Sequence, residues 1–492
     1  MNNIKQIRNI ESELQNFLYA LREKTYLHYS GQKSSFDLSE LYSKYSHLFS
    51  LDTVNKFSNK TKGYLNVDNN YILYMAKFIT DSFFGESVKE IDSKIANRES
   101  VGKILFNKEE IPYRSLLGRM YNAKDRSTCF QMDSLRREFA EKSNKERWER
   151  ICIFNQKATD LGYDNYAHLC GRLKKICLTT YYNDCKQFLK NTHDIYFSSL
   201  DKQIPFNSCC TQVGNQRSDI FLLARAKEFD ILFSKDNLLH SISKTLSDIG
   251  INLSEQKNIY IDNDYRVGKS SRPFCIAIDP PNDIRLVTQS TGGREDYVKL
   301  YHEMGHAQHW GHTRNDLSFV FKCLGDYGVT EGYALLFQSL LHNQYWINEN
   351  CAYFQNVSIQ PYLELSSFLN MYLMRRYVVK FIYEYELFNN EIENPCEFYA
   401  EYFSDNLGVK YYQEDFLLDV DVGFYSLNYI RAWLFENRLR EYLVKKYGNM
   451  WFCNEQTGKF LREIWGLGQK NNVEEIIAVF DNKEISVTDL NI

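Results

Sequence analysis

Proline and long uninterrupted apolar runs are both scarce in this sequence. Only seven prolines occur among 492 residues, so few positions forbid a helix, and most of the chain shows the apolar spacing of amphipathic helices. No window approaches the roughly 18 consecutive apolar residues that a transmembrane helix needs. The sequence therefore predicts a mainly α protein without a membrane-spanning segment.

The sequence also lacks a strong excess of either charge. Lysine and arginine number 59 against 63 acidic residues, which gives a net charge of −4, so the composition does not indicate nucleic acid or an anionic membrane as a partner. The N-terminus carries charges every few residues, where a secretory signal would need a continuous apolar segment. We expect a cytoplasmic protein with no nucleic-acid partner and no membrane partner.

Closely spaced cysteine motifs are missing as well, although twelve cysteines occur. None of them forms a CxxC pair, and they are dispersed along a chain without a secretory signal. We therefore expect free, packed thiols rather than a disulfide framework or a metal knuckle. The adjacent Cys209 and Cys210 receive the same interpretation and no functional assignment.

One region departs from the helical pattern. Between about residues 257 and 290 the short runs KNIYID, FCIAID and DIRLVTQ follow one another, and their β-rich composition predicts a small sheet of about three strands. Gly292 and Gly293 come next. A helix is then predicted from about residue 294 to 310, and it contains the segment HEMGH.

The HEMGH segment has the spacing of a metal site. Residues four apart lie on one face of an α-helix, so His302 and His306 can direct two imidazoles at one point, while Glu303 is rotated by about 100° toward the adjoining face. Imidazole nitrogens are common zinc ligands, and a catalytic zinc site has three protein ligands and an open position. The pattern predicts one Zn²⁺ ion held by both histidines, Glu303 as the general base, and a third ligand from elsewhere in the chain.

The best candidate for the third ligand is Glu331. It lies 331 − 306 = 25 residues beyond the second histidine, in the helical segment GVTEGYALLFQSLL, and this spacing leaves room for a turn and a return helix. Val329, Tyr333 and Leu336 belong to an apolar stripe of that segment. Because Glu331 lies off the stripe, we expect it to face the metal.

These residues carry a resemblance to a known family. The stretch VTQSTGGREDYVKLYHEMGHAQHW, followed by GDYGVTEGYALLFQSLL, resembles the zinc site of the thimet oligopeptidase and oligoendopeptidase F family of gluzincins, and more distantly that of angiotensin-converting enzyme. The likeness covers about residues 270 to 345 and recurs around residues 420 to 470. It implies an elongated, two-lobed helical body whose deep channel admits short peptides, with the strand DIRLVTQ pairing with the substrate backbone.

No repeat, low-complexity tract or long linker marks a domain boundary. We expect an N-terminal helical lobe over residues 1–200. A catalytic lobe over residues 201–492 is expected to carry the sheet, the HEMGH helix and the C-terminal helices, and the boundary between the two lobes is soft.

The resemblance also implies a tyrosine that donates to the oxyanion formed when water attacks a peptide carbonyl. The matching stretch, DVGFYSLNYIRAWLFENRLREYL, offers Tyr425 and Tyr429. It departs from the family pattern at Ala432, where a second tyrosine is expected, and at Val420, where a histidine is expected. Both tyrosines are therefore candidate donors.

Two further side chains near the motif have alternative interpretations. His309 shares a helix face with His302, and we expect it to be packed or to line a cleft rather than to bind the metal. Asp326 precedes Glu331 and is a candidate for orienting a zinc-bound imidazole.

The pattern favours a zinc metalloendopeptidase that hydrolyses internal bonds of short oligopeptides. One alternative is a zinc carboxypeptidase or dipeptidyl carboxypeptidase, in which Arg431 would bind the terminal carboxylate. An alternative of another class is a catalytically inactive peptide-binding protein on the same fold. The sequence does not indicate an oligomeric state.

Overall fold

The computed structural model describes residues 2–33, 37–63, 70–204, 214–264, 266, 269–270, 272–290, 292–351, 358–389, 391–481 and 485–490. In these ranges, no helix combines the length and the apolar character needed to cross a membrane.

The described chain is mainly helical, which confirms the predicted fold class at this level. The N-terminal helices are α1 (Asn2–Tyr29), α2 (Ser39–Lys44), α3 (Leu51–Gly63), α4 (Asn70–Val101), α5 (Tyr113–Tyr121), α6 (Arg126–Glu141), α7 (Asn144–Asp160), α8 (Tyr166–Lys174), α9 (Leu178–Asn191), α10 (His193–Gln203), α11 (Arg217–Arg225) and α12 (Leu238–Asp248). The remaining helices are α13 (Arg294–Gly311), α14 (Phe319–Cys323), α15 (Tyr327–Ser339), α16 (Gln344–Asn350), α17 (Gln360–Phe388), α18 (Pro395–Leu407), α19 (Tyr425–Tyr447), α20 (Glu455–Trp465) and α21 (Val473–Ile477). Short 3₁₀ turns connect several of them.

Side chains at the ends of these helices explain where several of them begin. Asp125 accepts a hydrogen bond from the Thr128 N–H at the start of α6, and Asn165 accepts one from the His168 N–H at the start of α8. Such N-cap contacts satisfy backbone donors that have no partner within the helix. The helix boundaries here follow from local sequence.

The predicted sheet is present beside α13. Its strands are β3 (Ile259–Asp262), β4 (Phe274–Asp279) and β5 (Asp283–Val287), in the order β3-β5-β4. β3 is parallel to β5, and β4 is antiparallel to it. Because β5 is paired along both edges, the expectation that the DIRLVTQ strand pairs with a substrate backbone is wrong. The edge strand that lies toward the HEMGH helix is β4.

A second sheet was not anticipated from the sequence. β1 (Lys103–Phe106) and β2 (Glu109–Pro112) form an antiparallel hairpin. Its two-residue turn, Asn107 and Lys108, has positive φ at both positions, as a type I′ turn requires. These strands, KILF and EEIP, have only four residues each, and neither shows the alternating apolar pattern that identifies a strand.

The apolar core has two main clusters that meet at α19. The first cluster packs the N-terminal helices against α17 and the first half of α19, and it includes Leu14, Phe84 and Leu427. The second surrounds α13 and α15 and includes the second half of α19, for example Phe435 and Leu439. The first cluster thus contains residues from both sides of position 200, and the soft boundary there stays a prediction.

Ten of the twelve cysteines lie in the part of the chain that the structure describes, and all ten are free thiols, as expected. Five of the ten are buried, whereas Cys152, Cys177 and Cys453 are exposed, so the expectation of packing holds for only part of the set. Cys209 and Cys210 lie outside the described residues.

Candidate metal centre

The site forms where α13 and α15 cross at close range. α13 runs from Arg294 to Gly311 and contains HEMGH, one residue longer than predicted. A Cβ placed on Gly305 would lie only 2.6 Å from the Ala334 Cα and from the Tyr333 carbonyl oxygen, so the absence of a side chain at Gly305 permits this approach. α15 is buried from Gly328 to Phe337, whereas the sequence suggested a single apolar stripe.

Three ligand-type side chains converge at this crossing. The Glu331 Oε2 atom lies 3.3 Å from His302 Nε2 and 3.7 Å from His306 Nε2, and the candidate ligand atoms of all three residues lie within 4.8 Å of one another. His306 is 7% exposed and Glu331 is 5% exposed. The structure therefore brings together the two residues of the motif and the carboxylate 25 residues farther along the chain.

Neutral side chains contact the Nδ1 atoms of the two imidazoles. His302 Nδ1 donates to the Gln338 amide oxygen at 3.0 Å, and His306 Nδ1 lies 2.8 Å from Thr330 Oγ1. With each Nδ1 engaged in this way, the Nε2 atoms are the ones that face Glu331. Such contacts fix the orientation of a ligating histidine.

Asp326 does not take the orienting role that the sequence suggested for it. Its side chain accepts from the Gly328 N–H at the start of α15 and from the Val473 N–H at 3.1 Å. It also pairs with Arg431 Nη1 at 2.7 Å. The aspartate anchors the beginning of α15, and the imidazoles are instead oriented by Thr330 and Gln338.

Electrostatics couples the first histidine to the carboxylate. Burial alone disfavours charge on His302, but its close contact with the Glu331 carboxylate and the Coulombic attraction between the two raise its pKa above the ordinary value. Burial disfavours charge on Glu331 in the same way, yet the two histidines lower its pKa. His306 differs, because burial dominates and lowers its pKa to about 4. Glu331 is thus ionised, and the neutral His306 leaves a lone pair on Nε2.

Glu303 lies beside the triad of His302, His306 and Glu331 and is separate from it. Burial raises the pKa of its carboxyl to about 7, assisted by the charge of Glu331 and opposed by His302 and by the backbone N–H of Cys275 in β4. It takes part in no ion pair with a described residue. The edge strand of the small sheet therefore runs directly past the candidate general base.

The two candidate tyrosines occupy different positions. Tyr425 begins α19 and donates to Glu331 Oε1 at 2.8 Å. The Tyr429 ring lies 5.5 Å from that of Tyr425, centroid to centroid. The Tyr429 hydroxyl makes no hydrogen bond to a described residue. Burial raises its pKa, and the negative charges of Glu331 and Glu303 raise it further. Tyr425 orients a candidate ligand, whereas the Tyr429 hydroxyl is available to another group.

An aromatic cluster surrounds Tyr429. Tyr377 of α17 lies 4.6 Å from it and 5.5 Å from Trp433, between ring centroids. Ala432, where a second tyrosine was expected, is fully buried and so offers no group to the site. Val420, where a histidine was expected, is 6% exposed. The second tyrosine beside Tyr429 on this side is therefore Tyr377 of α17 rather than a residue at position 432.

His309 and Arg431 both have partners away from the proposed metal ligands. His309 is fully buried, with Nε2 at 3.2 Å from the Gly468 carbonyl oxygen, which confirms that it packs and does not join the triad. Arg431 is 1% exposed and is held between Asp326 and Glu474. Its guanidinium is therefore already paired with two carboxylates. The suggestion that Arg431 binds the terminal carboxylate of a substrate is wrong.

Sequence reasoning missed several residues that contact the site. Gln338 lies seven residues after Glu331, a spacing that puts two residues on one helix face, so a search for polar residues at this distance would have found it. Thr330 is adjacent to Glu331 and carries no comparable signal. Neither Cys275 nor Tyr377 could be found from spacing, because both come from distant segments.

The residues present fit a single zinc ion. Glu331 Oε2 is buried and has no hydrogen-bond partner among the described residues, although it is aimed at two imidazole nitrogens. An oxygen and two nitrogens are a donor set that zinc prefers, and three protein ligands are typical of catalytic rather than structural zinc. His302, His306 and Glu331 are the residues that would hold it.

No protein-family model matches this chain, and no curated protein sequence matches it significantly.

Proposed function

We propose that this protein is a zinc-dependent metallopeptidase that hydrolyses internal bonds of short oligopeptides. The observation that carries the proposal is the convergence of His302, His306 and Glu331 on one point, with the separate carboxylate of Glu303 beside them. Three ligands and an adjacent base are the minimal set for hydrolysis by a metal-activated water.

Each residue has a distinct role in this mechanism. A zinc ion, when bound, lowers the pKa of water toward about 7 and polarises a carbonyl group. Glu303 accepts the proton of the attacking water and returns it to the leaving amine. The Tyr429 hydroxyl donates to the oxyanion, because it has no hydrogen-bond partner among the described residues, and Tyr425 holds the Glu331 carboxylate in place.

The proposal extends to the shape of the protein and to its family. An elongated, two-lobed helical body with a deep channel would exclude folded proteins and admit short peptides, as in the thimet oligopeptidase and oligoendopeptidase F family that the motifs resemble. A peptide can add to the outer edge of β4 in an extended conformation, since edge strands present backbone groups that no neighbouring strand pairs. We propose a cytoplasmic location for this activity.

The test is Glu303→Gln, compared with the parent after both are loaded with zinc. The variant should keep one equivalent of zinc and lose at least about 10²-fold in peptidase rate, since the general base is gone. Glu295→Gln is the matched control, because Glu295 lies on the same helix and pairs with Arg294 away from the triad. A diverse peptide mixture read by mass spectrometry gives the rate and the cleavage positions together.

The outcomes separate the alternatives. Parent-like cleavage by Glu303→Gln would show that the proposed base is wrong. Cleavage of peptides blocked at both ends distinguishes an endopeptidase from a strict carboxypeptidase, and the pairing of Arg431 with two acids already disfavours the latter. Zinc binding without chelator-sensitive cleavage of any peptide would favour the inactive peptide-binding protein.

A further inference from the structure

The outer edge of β4 is engaged by side chains at two of its residues. β4 pairs with β5 along its other edge, and alternate residues of a strand direct their backbone N–H and C=O to the same side. The Cys275 N–H interacts with Glu303, and the Ala277 carbonyl oxygen accepts from Arg22 Nη1 at 2.7 Å. Cys275 and Ala277 therefore point away from β5, and Arg22 already occupies one of their polar groups.

Arg22 reaches this edge from α1 and bridges it to another helix. Its Nη2 donates to the Cys323 carbonyl oxygen at 3.3 Å, and its Nη1 lies 3.4 Å from the Cys323 Sγ. Cys323 is the last residue of α14. The guanidinium thus closes the edge of β4 at Ala277.

The direction of an added peptide follows from the strand geometry. A peptide antiparallel to β4 places its earlier residues opposite Ala277 and its later residues opposite Cys275. Because Cys275 is the residue next to Glu303, the scissile bond lies near that end, and the residues that precede it run toward Arg22. The two positions on β4 are about 7 Å apart at the usual rise of a strand, which corresponds to two peptide residues.

We propose that Arg22 is a specificity-determining residue that ends the β-pairing of the substrate on the N-terminal side of the scissile bond. The inference rests on the proposed function and deepens it by naming which part of the peptide the protein recognises through its backbone. Only the peptide residue opposite Cys275 and the one that precedes it can pair with the strand, because Arg22 occupies the Ala277 carbonyl oxygen that would accept from the next residue. Residues still closer to the peptide N-terminus leave the sheet and contribute little to recognition.

The experiment measures kcat/KM for a series of peptides with one common cleavage site. Both ends are blocked, and the peptides are lengthened by one residue at a time on the N-terminal side. Counting from the peptide residue opposite Cys275 toward the N-terminus, kcat/KM for the zinc-loaded parent should stop rising at about the second residue. Arg22→Met removes the donor but keeps the length of the side chain, and it frees the Ala277 carbonyl oxygen for the peptide N–H opposite it. The rise should therefore continue to about the third residue, by roughly threefold to tenfold, the value of one backbone hydrogen bond.

Two control variants separate this role from simple anchoring of α1. Arg22→Lys keeps a donor for the Ala277 carbonyl oxygen and should retain the parent length dependence. Tyr19→Phe removes the hydrogen bond from Tyr19 to Asp279, 2.6 Å long and on the same helix, without releasing Ala277, and it should also resemble the parent. Arg22→Ala repeats the test if Arg22→Met does not fold.

Each result supports or overturns the inference. Extended length dependence in Arg22→Met alone supports it. Identical length dependence in the parent and Arg22→Met overturns it and leaves the proposed peptidase function standing, as does an equal change in Arg22→Met and Tyr19→Phe. If the zinc-loaded parent cleaves no peptide in the series or in a diverse mixture, the proposed function fails, and this inference fails with it.

Discussion

Replacing Gly305 by alanine is expected to damage the metal site without altering any ligand. The new Cβ would lie 2.6 Å from two backbone atoms of α15, whereas ordinary contacts begin at 3.4 Å, so the two helices must separate by about 3.4 − 2.6 = 0.8 Å. A backbone cannot rotate away as a flexible side chain can. Overpacking of this kind costs roughly 1–3 kcal/mol in the free energy of unfolding.

The same displacement acts directly on the ligand set. Gly305 immediately precedes His306 on α13, and the atoms it would displace belong to α15, which carries Glu331. Metal–ligand distances tolerate changes of only about 0.2 Å, so we expect zinc affinity to fall by at least roughly tenfold, as it does when the support of a ligand is lost. Competition with a chromogenic chelator measures the affinity, and urea denaturation followed by circular dichroism measures the stability.

The matched control is Gly85→Ala in α4. Apart from its chain neighbours and the adjoining backbone of α4, no described atom lies within 4 Å of a Cβ built at Gly85. This substitution therefore gains helix propensity and should be neutral or stabilising by roughly 0.5–1 kcal/mol. Zinc affinity and stability that are both unchanged in Gly305→Ala would refute the idea that close packing of α13 on α15 assembles the site. A loss of equal size in the control would show that the effect is not specific to the crossing.

Two further predictions concern α19 and the helix that supports it. Tyr429→Phe should lower kcat by roughly 10²- to 10³-fold with zinc affinity intact, whereas Tyr425→Phe should mainly weaken zinc binding. Steady-state kinetics measures kcat, and chelator competition measures zinc affinity. A loss of zinc affinity in Tyr429→Phe, with a loss of kcat alone in Tyr425→Phe, would contradict these roles. Glu384 of α17 is fully buried and accepts hydrogen bonds from the Asp421 backbone N–H and the Ser426 hydroxyl, and burial raises its pKa to about 8. The folded state therefore favours its neutral form. This stabilisation is complete below the unfolded pKa of about 4.3 and is lost as the pH rises to about 8. The free energy of unfolding of the parent should therefore fall between these pH values. We expect this fall to exceed that of Glu384→Gln by on the order of a few kcal/mol. Parallel pH profiles from urea titrations would contradict this.

Much of the metal site could be predicted because it depends on local geometry. His302 and His306 share a helix face wherever that helix lies, since the spacing of residues four apart is a property of the α-helix itself. Glu331 followed from the length of chain needed for a turn and a return helix. The three strands of the small sheet were recognisable for a similar reason, because their β-rich composition contrasts with the helical pattern around them.

Partner choice could not be predicted in the same way. Asp326 and Arg431 were each assigned to the site from their position near a motif, but in the fold they pair with each other. A buried charge is costly unless it is paired, and which partner is within reach depends on the packing of helices that are distant in sequence. The expectation that β5 pairs with a substrate was wrong for the same reason, because strand order depends on the pairing of all three strands and places β5 in the centre.

The sequence by itself therefore determined the helical character of this protein, the small sheet and the candidate ligands His302, His306 and Glu331. Only the tertiary structure decided that Gln338 and Thr330 orient the imidazoles, that Tyr425 holds Glu331 while Tyr429 is left available, and that Arg22 closes the edge of β4. The physical reason is the distance along the chain over which each effect acts. Periodicity and capping act within a few residues, whereas hydrogen bonds and close packing between segments exist only after the chain has folded.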